Sequence, residues 1–534
     1  MRETPNAVNI TSRVRKEGDF WDYDFKSILV GNEDLRRLAL EVDILGMALE
    51  EIRSERIKKL RELEERGIEG YPASAVRTHR IAEVLKKFPA FAKGRKINTV
   101  VGRIMANRGH GGATFADLRD GSGKIQVLFK KDILGAEYDR FSDAADMGDF
   151  IEITGKAFKT KKGEPTIEVH KWKMLAKSLL PLPEKWHGLQ DVEERFRKRY
   201  LDLLVNEGVR ERFLIRAKII STLRALLEKA EFVEVETPLL QPIPGGALAK
   251  PFRTHHNALD IDFYLRVAPE LYLKRLLVGG IERVYEIGRN FRNEGIDATH
   301  NPEFTMLECY AAYWDENDMM AFVEDSIIDL VKTVVGKKGE VSHDGNAIQF
   351  KKPFPRVLFK DLLKKYALIP NYDAETRDGI ALRARQLGID SPLHESKGKI
   401  ADEIYKKIAR PKIIQPVFVM NHPFDISPLA KKRVENPAEV RRFQLIAGGM
   451  ELANAFSELN DPLDQRSRFE EQETMRGSGE EEAHRIDEDY IEAMEYGMPP
   501  AAGLGVGIDR LVMLLTNVKN VREVVLFPTL KPKQ

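Results

Sequence analysis

The chain has 534 residues, 43% of them hydrophobic and 32% charged, with a formal net charge of +1. That length asks for more than one domain at about 100–200 residues each, and the composition is that of a soluble globular protein. The balanced charge leaves no global basic footprint, so any RNA contact must come from local patches. No window nears the roughly 18 uninterrupted apolar residues of a membrane span, and the charged N-terminus lacks a signal-peptide core. The lone cysteine, Cys309, excludes intrachain disulfides and thiolate metal clusters, as expected of a reducing cytoplasm.

Residues 1–50 form an N-terminal extension with one local signal: Asn32 is placed to cap a helix through L-R-R-L-A-L-E-V-D-I-L-G-M-A-L-E. Residues 51–95 open on a second, charged helix with a thin apolar stripe, which Gly67 ends. From 96 to 178 the texture changes to five short strands, with Gly111-Gly112, Gly121-Ser122-Gly123 and the Lys161–Gly163 turn between them. Five such strands suit a small closed barrel of the OB type, which binds single-stranded nucleic acid on one face through aromatics and basic residues. Arg103, Phe115 and Gln126 fall on the strands of that face.

Leu180-Pro181-Leu182-Pro183 stiffens a linker into a larger domain, 179–534. There K-A-E-F-V-E-V-E-T-P-L-L, 229–240, reads as a strand stopped by Pro238. Gly245-Gly246 would let a ligand approach the backbone, and Glu270 stands at a strand-to-helix junction, where a carboxylate ordinarily complements the helix N-terminus. Residues 285–310 read as two strands and a loop closed by Asn301-Pro302. Arg292 and Glu294 share one side of the first strand. On the second, Phe304, Met306, Glu308 and Tyr310 face one way and Thr305, Leu307 and Cys309 the other. An Arg, two carboxylates, His300 and an aromatic are too many convergent groups for a solvated sheet face.

Residues 315 to about 435 read as a mostly helical insertion. In G-G-M-E-L-A-N-A-F-S-E-L-N-D, 448–461, Asn454, Phe456 and Glu458 share strand parity but Glu451 does not. A bulge near Ala453 is expected if all four face one pocket. Finally, 502–515 reads as a glycine-rich strand running into a helix whose first turn carries Arg510.

F-R-N-E-G followed by T-H-N-P-E-F-T-M resembles motif 2 of the class II aminoacyl-tRNA synthetases, and its wording is most similar to the lysyl enzymes. Segments 229–240 and 502–515 resemble motifs 1 and 3, and the likeness runs from about Glu51 to Pro532. The resemblance implies an α+β protein: an N-terminal OB-fold β-barrel that reads the anticodon, then a class II antiparallel-sheet catalytic domain that dimerises through motif 1. It implies ATP as substrate, Mg²⁺ as cofactor, and lysine and tRNA(Lys) as partners. By position, Arg292 and Arg510 would be catalytic, and Glu294, His300, Asn301, Phe304 and Glu451 would complete the ATP site. Gly246, Glu270, Glu308, Tyr310, Asn454, Phe456 and Glu458 would join Arg292 around lysine, with Glu451 and Glu458 as metal ligands. In the barrel, Phe115 would stack on an anticodon base, Gln126 would bond the central uridine, and Arg103 would complete the face. The charged helix would lie along the tRNA, with Arg53, Arg56, Lys58, Lys59 and Arg61 toward phosphates.

The sequence departs from the family at Glu231, where a glycine is usual, and at Gln444, where lysyl enzymes place a metal-binding glutamate. An amide oxygen can coordinate Mg²⁺ but brings no charge. Two carboxylates and a phenol at the far end of the amino-acid site select a cation, which disfavours an aspartyl or asparaginyl enzyme. A modifier of protein lysines would lack the barrel, and a non-catalytic RNA-binding paralogue would have no use for Arg292, Glu451 and Arg510.

Overall fold

The computed structural model describes residues 15–17, 20–22, 33–94, 97–183, 189–206, 208–390, 395–477 and 485–533. The cap at Asn32 lies outside them. The chain divides into two compact units after residue 184.

In the first unit, one helix runs Glu33–Glu65 where the sequence suggested two. Nothing between the two runs stops it: there is no proline, and an interior glycine such as Gly46 costs about 1 kcal/mol without breaking a helix. Two of the five cations expected to face RNA are otherwise engaged. Arg56 is buried and donates to the carbonyls of Met147, Ser178 and Leu180, and Lys59 pairs with Asp146 at 2.7 Å. They tie the helix to the barrel, while Arg53, Lys58 and Arg61 stay exposed.

The barrel closes from the strands Ile97–His110, Ala113–Arg119, Lys124–Lys130, Pro165–Ala176 and Phe150–Lys159, neighbours in that order. Alternation fills it: Ala116, Leu118, Ile125, Val127 and Phe129 turn inward against Ile151, Ile153, Ile167 and Val169. Phe115, half-buried, points out of that core.

The second unit is built on an eight-stranded sheet. Its strands, in spatial order, are Arg356–Leu358, Val417–Met420, Arg442–Ala447, Met450–Ser457, Ala501–Gly507, Glu303–Ala312, Arg283–Phe291 and Val233–Glu234. All neighbours run antiparallel except the pair at each edge, which is parallel. The helices Val209–Lys229, Glu316–Val334 and Ile508–Leu515 cover one face, sharing a core with Leu307, Cys309, Ala455 and Leu504. The other face of the same strands is left for chemistry.

Residues 315–435 are less helical than expected. They give the sheet the last two strands at one side and also form a hairpin, Glu340–His343 with Asn346–Gln349. R-V-L and V-F-V-M have the composition of strands but are too short for periodicity to show. The helices Phe359–Ala367, Arg377–Gln386 and Lys397–Ile404 of this stretch gather around a core of their own.

Glu231 adopts φ +64°, a left-handed conformation that explains the family's glycine there. Such a backbone costs a residue with a side chain about 1–2 kcal/mol, and the exposed pair with Arg283 at 3.2 Å returns little of it. Against the entropy that glycine adds to the unfolded chain, Glu231→Gly should still stabilise by about 0.5–1 kcal/mol. A denaturant midpoint at or below that of the wild type would contradict this.

Candidate active site

On the open face of the sheet lies a cleft of about 900 Å³, into which motifs 2 and 3 and the 448–461 segment converge. In the motif 2 hairpin, Glu286 stands opposite Glu308 and Asn290 opposite Phe304. The first strand ends at Phe291, so Arg292 and Glu294 sit in the loop rather than along the strand. The Arg292 N–H still donates to the Pro302 carbonyl at 2.8 Å, but proline has no N–H to return, and the ladder stops. The Arg292 guanidinium lies 5.0 Å from the Phe304 ring centre, and its buried Nε has no hydrogen-bond partner among the described residues. The second strand keeps the expected parity: Phe304, Met306, Glu308 and Tyr310 line the cleft, while Leu307 and Cys309 enter the core. Thr305, expected on the back, also reaches the lining, held by Arg216 at 3.0 Å.

One part of the cleft is acidic. Glu270 is the first residue of the helix Glu270–Val278, and Gly246, at φ +87°, packs so closely that a Cβ there would lie 2.9 Å from the Glu270 Cβ. One turn on, Lys274 is 0% exposed; its Nζ lies 2.5 Å from Glu270 and also pairs with Glu458. Glu458 is therefore not on the cleft lining, as the sequence suggested, but behind it, between Lys274 and the backbone of Gly503. A Cβ at Gly503 would collide with Glu458 Oε1 and the Tyr310 ring, so motif 3 needs glycine there to make room for the acids. Tyr310 donates to Glu308 at 2.9 Å. Arg266, buried nearby, is already taken by Glu286 at 2.6 Å.

Burial and the neighbouring Glu270 push the Glu308 carboxyl up to about 8, against the pull of Tyr310, Arg292 and Arg266. Glu458 is also raised well above its ordinary value, by burial and its acidic neighbours, against the pull of Lys274. Burial would lower the Lys274 ammonium, but Glu270 and Glu458 outweigh it and hold it charged. Glu270 and Glu458 thus share one internal cation, and Glu308 has none paired to it among the described residues.

The other part of the cleft is basic. The strand Met450–Ser457 slips register between Leu445 and Ile446 of its neighbour, leaving Leu452 as the extra residue. This is the expected bulge, one residue from Ala453, and it brings Glu451 onto the lining with Asn454 and Phe456. Arg442 Nε donates to Asn454 Oδ1 at 2.8 Å and fixes the amide. Asp509 accepts from Arg216 at 2.5 Å and from the Thr305 N–H at 3.0 Å, anchoring the helix that presents Arg510. Burial would raise Asp297, but His300 and Thr299 pull it down to about 2, so its carboxylate accepts from His300 Nδ1 at 2.8 Å. His300 Nε2 lies 3.3 Å from Arg510 Nη2. Asn301 Nδ2 donates to the Glu303 carbonyl at 2.7 Å while its Oδ1 has no hydrogen-bond partner among the described residues, and Glu294 is exposed at the cleft mouth. Among the described residues, no group of three His, Cys, Asp or Glu is arranged to hold a metal.

In the barrel, Arg103 pairs in register with Arg119, and Asp117 with Gln126, which puts Arg103, Phe115 and Gln126 on one outer face. Arg103 donates to the Gly148 carbonyl at 3.1 Å and stacks on Phe150, while Gln126 Oε1 accepts from Thr166 at 2.9 Å.

Sequence reasoning missed Lys274, Gly503, and the cations Lys406, Lys407 and Arg410 on the cleft lining. An i, i+4 Glu-Lys pair reads as a solvated helix face, and only its apolar surroundings in E-L-Y-L-K-R-L could have signalled burial.

Residues 191–531 match the family of class II tRNA synthetases (D, K and N), and residues 99–175 match the OB-fold nucleic acid binding domain. The chain is a class II tRNA synthetase of that group. It is 50% identical over 488 residues to the lysine--tRNA ligase of Carboxydothermus hydrogenoformans, covering 91% of this chain and 99% of that one. The corresponding enzyme of Pelotomaculum thermopropionicum is 49% identical, over 91% and 96% of the two chains, and that of Roseiflexus sp. is 49% identical, over 91% and 100%. The chain belongs to the lysine--tRNA ligase family.

Proposed function

We propose that this chain activates L-lysine with ATP and passes the lysyl group to the terminal adenosine of tRNA(Lys). The observation that carries this reading is the charge count of the acidic site. Once ionised, Glu270, Glu308 and Glu458 carry three negative charges beside the single ammonium of Lys274, and the two ammonium groups that lysine brings would balance the remainder. Gly246 and Glu270 meet the α-ammonium. Glu308 and Tyr310 meet the ε-ammonium beside Phe456, with Glu458 as the acid behind them. Asn454 and Arg292 hold the substrate carboxylate.

Arg292 also bears on the α-phosphate that the carboxylate attacks, while His300 and Arg510 take the outer phosphates. Phe304 and Arg510 bracket the adenine, and Asn301 and Glu294 close its rim. With no protein nucleophile in the path, catalysis rests on positioning and charge neutralisation. Burial alone would raise Glu451, but Arg510, Arg410, Arg442 and Lys406 hold it below its usual value, so it is ionised. One ionised carboxylate suits Mg²⁺, which keeps its waters and takes most of its other ligands from phosphates. The ion, when bound, supplies charge neutralisation to the triphosphate. Arg103, Phe115 and Gln126 read unstacked anticodon bases. Val233, Leu239 and Leu240, exposed along motif 1, supply the apolar part of a homodimer interface.

The pH dependence has a definite sign. Glu308 must be ionised to bind an ammonium, and in the empty site it is protonated below about pH 8. The KM for lysine should therefore fall as pH rises from about 6 to 8, by up to about tenfold per unit, and then level. A flat profile would contradict the assignment. The reading as a whole is tested by charging tRNA transcripts: lysine should be esterified to a transcript with a lysine anticodon and not to one with an aspartate anticodon, and the reverse preference would overturn it.

A further inference from the structure

Both ends of the Gln444 amide are engaged. Its oxygen accepts from the Tyr405 hydroxyl at 3.1 Å, and its nitrogen donates to Glu451 Oε2 at 2.8 Å. Neither end is turned to an ion, so Gln444 does not fit the metal-binding role of the glutamate it replaces. Facing the same Glu451 oxygen at 3.9 Å is Arg410 Nη1, which lines the cleft with Lys406 and Lys407. The aim of these side chains has a structural cause. The helix Lys397–Ile404 passes directly into a π-helical turn, Tyr405–Ala409, and such a turn rotates the residues after it relative to a regular helix. It points the Tyr405 ring inward to Gln444 and carries Arg410 to the cleft. Lys406 is paired with Asp402 at 2.7 Å and Lys407 with Glu403 at 3.5 Å. Among the described residues, Arg410 has no acidic partner other than Glu451, and its buried Nε makes no hydrogen bond.

We infer that Arg410 is a phosphate-contacting residue of the nucleotide site and stands in for a metal ion that position 444 no longer holds. This rests on the reading of the cleft as an ATP site. A guanidinium offers fixed charge and a forked pair of donors to a triphosphate, and it needs no carboxylate to hold it. Replacing glutamate by glutamine at 444 and supplying an arginine from the insertion leaves the local charge suited to one fewer divalent ion. The Tyr405–Gln444–Glu451 chain then serves as a support that keeps Glu451 in place between Arg410 and the remaining ion.

The test counts ions. The full-length enzyme with lysine and α,β-methylene-ATP is titrated with Mn²⁺, and bound Mn²⁺ is measured by electron paramagnetic resonance for the wild type and for Arg410→Glu/Gln444→Glu. The wild type should hold one Mn²⁺ fewer per bound nucleotide than the double variant; equal counts would overturn the inference. Should the double variant fail to fold, Arg410→Ala gives an independent reading. It should raise the KM for ATP about 10- to 100-fold with the KM for lysine unchanged, as the loss of a charged hydrogen bond implies. An unchanged KM for ATP would sink the idea. Nucleotide binding with equal counts removes this inference alone, whereas no nucleotide binding by the wild type removes the ATP site as well.

Discussion

Replacing Arg292 with alanine is expected to depress lysine-dependent ATP–pyrophosphate exchange about a thousandfold, the scale of losing one preorganised donor to developing charge. Arg292 belongs to both halves of the cleft. Burial works against its charge, and Glu294, Glu308 and Glu451 support it from different sides while Arg510 opposes it. It is thus the group positioned to bear on the substrate carboxylate and the α-phosphate together. The effect should fall on kcat more than on either KM, because the contact matters most when the two substrates become one. Arg292→Lys should recover only part of the rate, since an ammonium cannot reproduce the fork. If the lysine variant were as fast as the wild type, Arg292 would be a point charge and not a clamp. The variants should unfold at the wild-type temperature, because the guanidinium's buried Nε makes no internal hydrogen bond to lose.

Glu308→Gln is expected to raise the KM for lysine about a hundredfold while leaving the KM for ATP unchanged. Glu308 is the acid that Lys274 does not neutralise, and its internal partner is the phenol of Tyr310. Glutamine keeps the shape and removes the charge that the ε-ammonium needs. A charged hydrogen bond in a closed site is worth about 1.5–3 kcal/mol, which sets that range. The same substitution should flatten the fall of KM between about pH 6 and 8, since the titrating group is gone. A variant that lost affinity yet kept the pH profile would assign the titration to Glu270 or Glu458.

Much of this was legible in the chain because it is local. Glycine-marked turns separated the barrel strands, two-residue alternation placed Glu308 and Tyr310 opposite Leu307 and Cys309, and the parity conflict between Glu451 and Asn454 called for the bulge found at Leu452. What escaped was non-local. Arg56 carries the same charge as Arg53, and only the carbonyls of Met147, Ser178 and Leu180 show that it anchors a helix. Lys274 reads as a surface lysine until Glu458, far along the chain, closes over it. Arg410 meets Glu451 through a π-helical turn that no apolar period announces. Gln444 was visible as a departure, but its two hydrogen bonds to Tyr405 and Glu451 were not.

The central claim is that the acidic part of the cleft chooses lysine and the basic part activates it. ATP–pyrophosphate exchange without tRNA, run across all twenty amino acids, tests both at once. Exchange with lysine alone is the predicted result. Exchange driven by aspartate or asparagine, or by none of the twenty, would contradict it.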